Sequence, residues 1–237
     1  MKICFIAPIK IHANASAGAE TINIYINELS KLGNKVSVIS DDDGRYNNLN
    51  IEYYNIPQYK SNRIANILFK IYKTIGWFFY PNNKYLYKIL PSKRNKIIKI
   101  LKNFKKTGYN PDVIFLETTT AILMVDLVKN IFPSAIIVAS LHDFAFQGSY
   151  RKAKLEKNKL KAIFRKRFLK FAEIKEVVAL SKCDIIAPHN AGNKEILGKY
   201  SQLENSIFFP LVPFYSDDYC HNENIKNNDI LFYRINE

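Results

Sequence analysis

Residues 1–40 read MKICFIAPIK IHANASAGAE TINIYINELS KLGNKVSVIS, and the reading of this stretch decides the fold. Lys2 to Ala7 is a short, nearly continuous apolar run, the pattern of a strand buried on both faces of a parallel sheet. A polar loop, Pro8 to Ala17, leads into Gly18-Ala19-Glu20. Ile22, Tyr25, Ile26, Leu29 and Leu32 then recur at helical spacing, and Gly33 stands where a helix-ending glycine belongs. Val36 to Ile39 is the next buried strand. Strand, loop, helix and strand in this order predict a right-handed βαβ crossover. Ligands in such sheets gather at the carboxyl ends of the strands, so the loop from Pro8 to Glu20 is the first candidate site. It is not a dinucleotide fingerprint, because Gly18 is its single glycine and no phosphate-loop lysine follows. By itself a lone glycine before a helix is equally well a turn.

Working outward, the chain has 237 residues, 48% of them hydrophobic, enough for a sizeable core and too apolar for a disordered chain. Cys4, Cys183 and Cys220 lie far apart and form no Cys-x-x-Cys pair, which reads as a reduced, cytoplasmic protein. The first apolar run is too short for a signal peptide, and no stretch reaches the roughly 18 apolar residues of a spanning helix. The expectation is a soluble or peripheral protein.

The net charge of +14 is unevenly placed. Tyr53 to Pro111 holds 13 Lys and Arg with no acid, and Ser149 to Lys175 holds 11 with two acids, so the rest of the chain is net acidic. In the first block Ile64, Ile67, Leu68, Ile71, Ile75, Phe78 and Phe79 keep a helical pattern ended by Pro81, and a second amphipathic helix is predicted from Asn95 to Lys105. Ordinary wet faces mix both signs of charge. An acid-free face of Lys, Arg, Trp and Tyr therefore suggests contact with an anionic membrane surface, through residues 60–106 and 151–175. A nucleic-acid partner is not expected, because helix-turn-helix, RNA-recognition and zinc-finger signatures are missing.

Asp41-Asp42-Asp43-Gly44 reads as a solvated turn rather than a metal site, and Ile51 to Ile56 as a short strand. Asp112 to Leu116 and Ala135 to Ser140 are further buried strands, with one short helix between them from Thr118 to Asn130. His142 and Asp143 follow at the carboxyl end of the second. A lone histidine is more often structural than catalytic, but this one shares its sheet edge with the Gly18 loop, and Asp143 is placed to orient it or to cap the next segment. Tyr150 to Leu180 has room for two helices in series or one long one. Asp184 to Ala187 and Ile207 to Pro210 complete the strands, Leu211 to Asn228 reads as a linker, and Asp229 to Tyr233 starts another strand. His189-Asn190 is a weaker ligand candidate. No sequence spacing suggests a metal cluster.

Several of these strings together resemble the N-terminal, acceptor-side domain of a GT-B glycosyltransferase of the family-4-like group. The carriers are MKICFIAP, Ala17-Gly18-Ala19-Glu20, LSKLGNKVSVIS, GYNPDVI, His142-Asp143 and CDIIAPHNAGNKEIL. The family has a second glycine in the first motif, commonly His where Asn34 stands, and Ser where His189 stands. The resemblance covers about residues 1–215 and implies an α/β, Rossmann-like three-layer sandwich on a parallel sheet. Residues 216–237 would be a linker and the first strand of a C-terminal domain that is missing, truncated or supplied by a separate chain.

The same resemblance implies transfer of a sugar from a UDP- or GDP-sugar, with retention of configuration, to a glycan or lipid-linked acceptor in cell-surface polysaccharide biosynthesis. No cofactor or metal is implied. Ala17, Gly18, Ala19 and Glu20 would face the donor diphosphate or acceptor, and His142 the transferred sugar or acceptor hydroxyl, with Asp143 beside it. The alternatives are a non-catalytic subunit that binds acceptor or membrane, and a basic nucleic-acid-binding protein.

Overall fold

A computed structural model describes residues 1–11, 16–41, 51–56, 67, 91–189, 191–204 and 206–208. Seven strands form one parallel sheet: β1 (Lys2–Ala7), β2 (Lys35–Ser40), β3 (Ile51–Asn55), β4 (Val113–Glu117), β5 (Ile136–Leu141), β6 (Ile185–Pro188) and β7 (Ile207–Phe208). Their spatial order is β3-β2-β1-β4-β5-β6-β7, and every pair is parallel. The helices are α1 (Ala17–Lys31), α2 (Pro91–Lys106), α3 (Thr118–Ile122), α4 (Val125–Ile131), α5 (Ala145–Lys154), α6 (Lys159–Leu180) and α7 (Ala191–Leu197). This is the α/β, Rossmann-like class expected.

The strand order turns at β1 and β4. From β1 the chain winds toward β2 and β3, and from β4 it winds the other way. With right-handed crossovers, opposite winding puts the helices on opposite faces. The two apolar clusters follow this rule. Ile3, Phe5, Val36 and Val38 pack with Ile22, Tyr25, Ile26 and Leu29 of α1 on one face. Cys4, Ile6, Ile114 and Leu116 pack on the other with Ile97, Leu101 and Phe104 of α2, Val125 and Val128 of α4, and Ala172, Val177 and Leu180 of α6. Alternate residues of β1 thus serve different faces, as strand geometry requires. Phe5 and Phe115 of neighbouring strands stack with centroids 4.6 Å apart.

Local chemistry fixes the ends of α1. Ser16 caps it by accepting the Ala19 N–H at 3.1 Å. At the other end Gly33 adopts φ +82°, the left-handed conformation, and donates to Ser30 O. Asn34 donates both its side-chain amide, at 2.9 Å, and its backbone N–H, at 3.3 Å, to Leu29 O near the helix end.

Several expectations need correction. The span from Thr118 to Asn130 is two helices, α3 and α4, separated at Leu123 and Met124. The helix expected from Asn95 begins at Pro91, where a residue without an N–H costs no helix hydrogen bond. Of the two readings for Tyr150 to Leu180, the structure has two helices in series, the end of α5 and all of α6. Asp41 is not solvated: its side chain is 6% exposed and ion-paired with Lys93 of α2, which also donates to Pro8 O. Burial pushes the Asp41 carboxyl up, while Lys93 pulls it the other way. The expectations for Asp42 to Gly44, for the helix between Ile64 and Phe79 apart from Ile67, and for residues 209–237 fall outside the described residues.

Candidate functional site

Three strands end side by side at the carboxyl edge of the sheet, each presenting one side chain to the same place. β4 ends at Glu117, β5 is followed by His142, and β6 by His189. His142 Nε2 lies 3.1 Å from Glu117 Oε2. The His142 and His189 rings stack with centroids 3.8 Å apart and planes 19° from parallel. His189 Nε2 in turn bonds Ser140 Oγ at 2.8 Å.

The backbone beneath is tied as tightly. The His189 N–H donates to Leu141 O at 3.1 Å, and the Asn193 side chain donates to Leu141 O and His142 O at 3.4 and 3.0 Å. Thr118, directly after Glu117, takes φ +72°. That conformation costs a β-branched residue about 1–2 kcal/mol, and strain of this kind concentrates at functional sites. It turns the chain sharply from β4 into α3.

Across from these strands stands the start of α1. A Cβ at Gly18 would sit 3.2 Å from His142 Nδ1, so glycine is what lets the helix start approach the imidazole this closely. Tyr25, two turns along α1, meets the His189 ring edge-on at 6.2 Å between centroids. Of the loop motif, Ala19 is buried and its N–H goes to Ser16 Oγ, while Glu20 is exposed and its N–H goes to Ser16 O. Ala17 and Gly18 supply the first two backbone N–H groups of the helix, which have no acceptor within the helix itself.

The electrostatics divide the two histidines. Burial, with the charge of His142 adding to it, pushes the His189 imidazole down to about 3. His189 is therefore neutral near pH 7. His142 Nε2 faces the Glu117 carboxylate, which is 0% exposed. In the tautomer that donates Nε2–H to this carboxylate, the lone pair of His142 lies on Nδ1, on the Gly18 side. A base oriented by a buried carboxylate can take or share a proton from a hydroxyl placed against it.

The sequence candidates Gly18 and His142 thus come together. Asp143 does not orient His142: its side chain is exposed, and the orienting carboxylate is Glu117. Nor does it cap α5, whose N-cap residue is Phe144 and carries no side-chain cap bond. Sequence reasoning passed over Glu117, Ser140 and Asn193. A carboxylate closing the apolar run Val-Ile-Phe-Leu was the available signal for the first. Where no metal cluster was expected, Glu117, His142 and His189 place one ligand atom each within 4.8 Å of one another.

No protein-family model and no curated protein sequence matches this chain. Solved structures do. Sucrose-phosphate synthase from Thermosynechococcus elongatus matches at a TM-score of 0.56 and 10% identity, over 89% of this chain and 47% of that one. UGT2 of Phytolacca americana, complexed with UDP-2fluoro-glucose and pterostilbene, matches at 0.51 and 7%, over 92% and 54%. The likeness is one of fold, and the chain spans about half the length of each structure.

Proposed function

We propose that this chain supplies the acceptor-side, N-terminal half of a glycosyltransferase cleft of the family-4-like group. In this reading a sugar passes, with retention of configuration, from a UDP- or GDP-sugar to a glycan or lipid-linked acceptor in cell-surface polysaccharide biosynthesis. The observation that carries it is His142, pinned by Glu117 at the carboxyl edge of β5 and in contact range of the α1 start at Gly18. The N–H groups of Ala17 and Gly18 face the donor diphosphate, whose negative charge grows as the sugar leaves. His142 holds a hydroxyl of the sugar or acceptor through Nδ1. The donor's nucleotide is held mainly by a second, donor-binding domain, on this polypeptide or on a partner.

The acceptor's lipid would be met by α2 and α6, which pack on the same face of the sheet. Lys96, Lys99, Lys102, Lys105 and Lys106 of α2 are exposed, as are Lys159, Ile163, Lys166, Lys170 and Ile174 of α6. Exposed lysines alternating with exposed isoleucines suit an anionic interface. No helix of the described residues is long and apolar enough to cross a membrane.

Saturation-transfer NMR of the chain with UDP-glucose, GDP-mannose and short glycans tests the cleft, read against His142→Ala. A glycan or nucleotide-sugar signal that His142→Ala removes is the expected result, and signals indifferent to His142 would refute the site. Co-sedimentation with neutral and anionic vesicles at low and high salt tests the surface. Salt-sensitive binding to anionic vesicles alone is expected. No binding under any condition would sink the membrane contact and leave the cleft reading standing.

A further inference from the structure

We propose that Glu117, His142 and His189 form a binding site for a first-row divalent cation, with Zn2+ as the reference ion. This goes beyond glycosyl transfer and does not depend on it. Two imidazoles and one carboxylate are a common donor set for such ions. None of the spacing shows in sequence, because the three come from the ends of three strands and meet only when the sheet is built.

Two of the ligand atoms already stand where a cation needs them. At metal–ligand distances of about 2.0–2.1 Å, the edge of a tetrahedral zinc site is about 3.3 Å. Glu117 Oε2 and His142 Nε2 are 3.1 Å apart. The third ligand atom lies within 4.8 Å of the others, and the stacked rings show what has to move. Nearly parallel imidazoles do not aim both lone pairs at one point, so His189 turns about its ring bond and exchanges Ser140 Oγ for the cation. Coordination at His142 Nε2 shifts that ring's proton to Nδ1, with no proton lost from the ring. The fourth position is left to water or to an oxygen of a bound ligand.

Independent of this geometry, Glu117 signals a missing partner. It is 0% exposed, and its Oε1 is buried without a hydrogen bond among the described residues. A buried carboxylate is costly unless both oxygens are satisfied. Among the described residues its other oxygen meets a histidine, which carries charge only when protonated. A cation seated between the carboxylate and the two rings supplies what the protein leaves open.

The test is a titration of the full chain with Co2+ in the absence of any sugar, read by visible d–d absorption and by displacement with Zn2+. One site per chain with four-coordinate absorption is expected, weakened more than about tenfold in both Glu117→Gln and His189→Asn. Zinc-edge X-ray absorption of the loaded wild-type chain should show two imidazole nitrogens with oxygen and no sulfur, a reading that needs no variant to fold. No binding in the micromolar range, a sulfur in the zinc shell, or affinity unchanged in folded variants would each overturn the site. Because the probe is the metal alone, that failure is distinct from a failure to bind nucleotide sugar or glycan.

Discussion

Acid should weaken this fold through His189 in a way that can be calculated. Its imidazole is pushed from 6.5 to about 3, chiefly by burial. The unfolded chain therefore binds a proton at this residue below about pH 6.5, whereas the folded chain resists doing so until about pH 3. Stability is full above the unfolded value and falls as the pH drops through the window between the two. Before screening, linkage over this window costs about 2.5 kcal/mol between pH 7 and pH 4.5. The ring is only partly shielded from water, so screening reduces this to about 1–1.5 kcal/mol. Urea unfolding of the wild type and of His189→Gln, repeated at half-unit steps of pH, isolates the effect. The difference between the two stabilities should shrink on acidification with a slope no steeper than about 1.4 kcal/mol per pH unit. A difference that stays flat from pH 7 to pH 4 would refute the argument, since it would mean that His189 titrates alike in both states.

Other substitutions probe the frame around the site. Lys93→Met leaves the Asp41 carboxylate buried beside Pro8 without its cation and should cost about 2–3 kcal/mol, while Asp41→Asn with Lys93→Met should cost less than Lys93→Met alone. A double-mutant cycle in urea checks this, and additive losses would count against a coupled pair. Phe5→Ala removes a 0% exposed ring stacked on Phe115 and should cost about 3–5 kcal/mol by the same assay, with a loss under about 1 kcal/mol contradicting the packing. Gly33→Ala forces a side chain into φ +82° and should cost about 1–2 kcal/mol; a gain in thermal stability would show that the helix end is misplaced. Glu117→Gln should change global stability by less than about 1 kcal/mol, because one carboxylate oxygen is already unpartnered, yet move the His142 ring-nitrogen shifts. Unmoved nitrogen shifts would dissociate the two residues.

The strands were legible because burial on both faces writes itself into sequence as mostly apolar runs, and β1, β2, β4 and β5 all have them, interrupted in β2 and β5 only by serines. The α1 boundaries were equally plain, with a capping Ser16 and a terminal Gly33. Asp41 misled for a physical reason. Consecutive aspartates usually mark a wet turn, and what draws this one inward is Lys93, 52 residues away. His142 was found by its place at a strand end, but its partner was assigned to the neighbour in sequence, Asp143, instead of the neighbour in space, Glu117. Adjacent residues after a strand point in different directions, whereas residues in register on paired strands share a site. The register of β4 on β5 places Glu117 beside Ser140, and that of β5 on β6 places Leu141 beside Pro188. Lateral pairing of this kind cannot be read from a single chain.

The cluster of Glu117, His142 and His189 also reports on how the molecule assembles. Glu117 and His142 are separated by 25 residues, and Ser140, which bonds His189, lies 49 residues before it. Neither loop closure is local, and non-local pairings are late and slow in folding. A one-residue slip of β6 against β5 would turn its side chains to the opposite face of the sheet and carry His189 away from His142. The shift that each stacked ring imposes on its neighbour's protons therefore appears only when β5 and β6 have docked in the correct register. In a refolding experiment followed by NMR, the His142 ring protons would time the closure of this half of the sheet, separately from the earlier zipping of β1, α1 and β2.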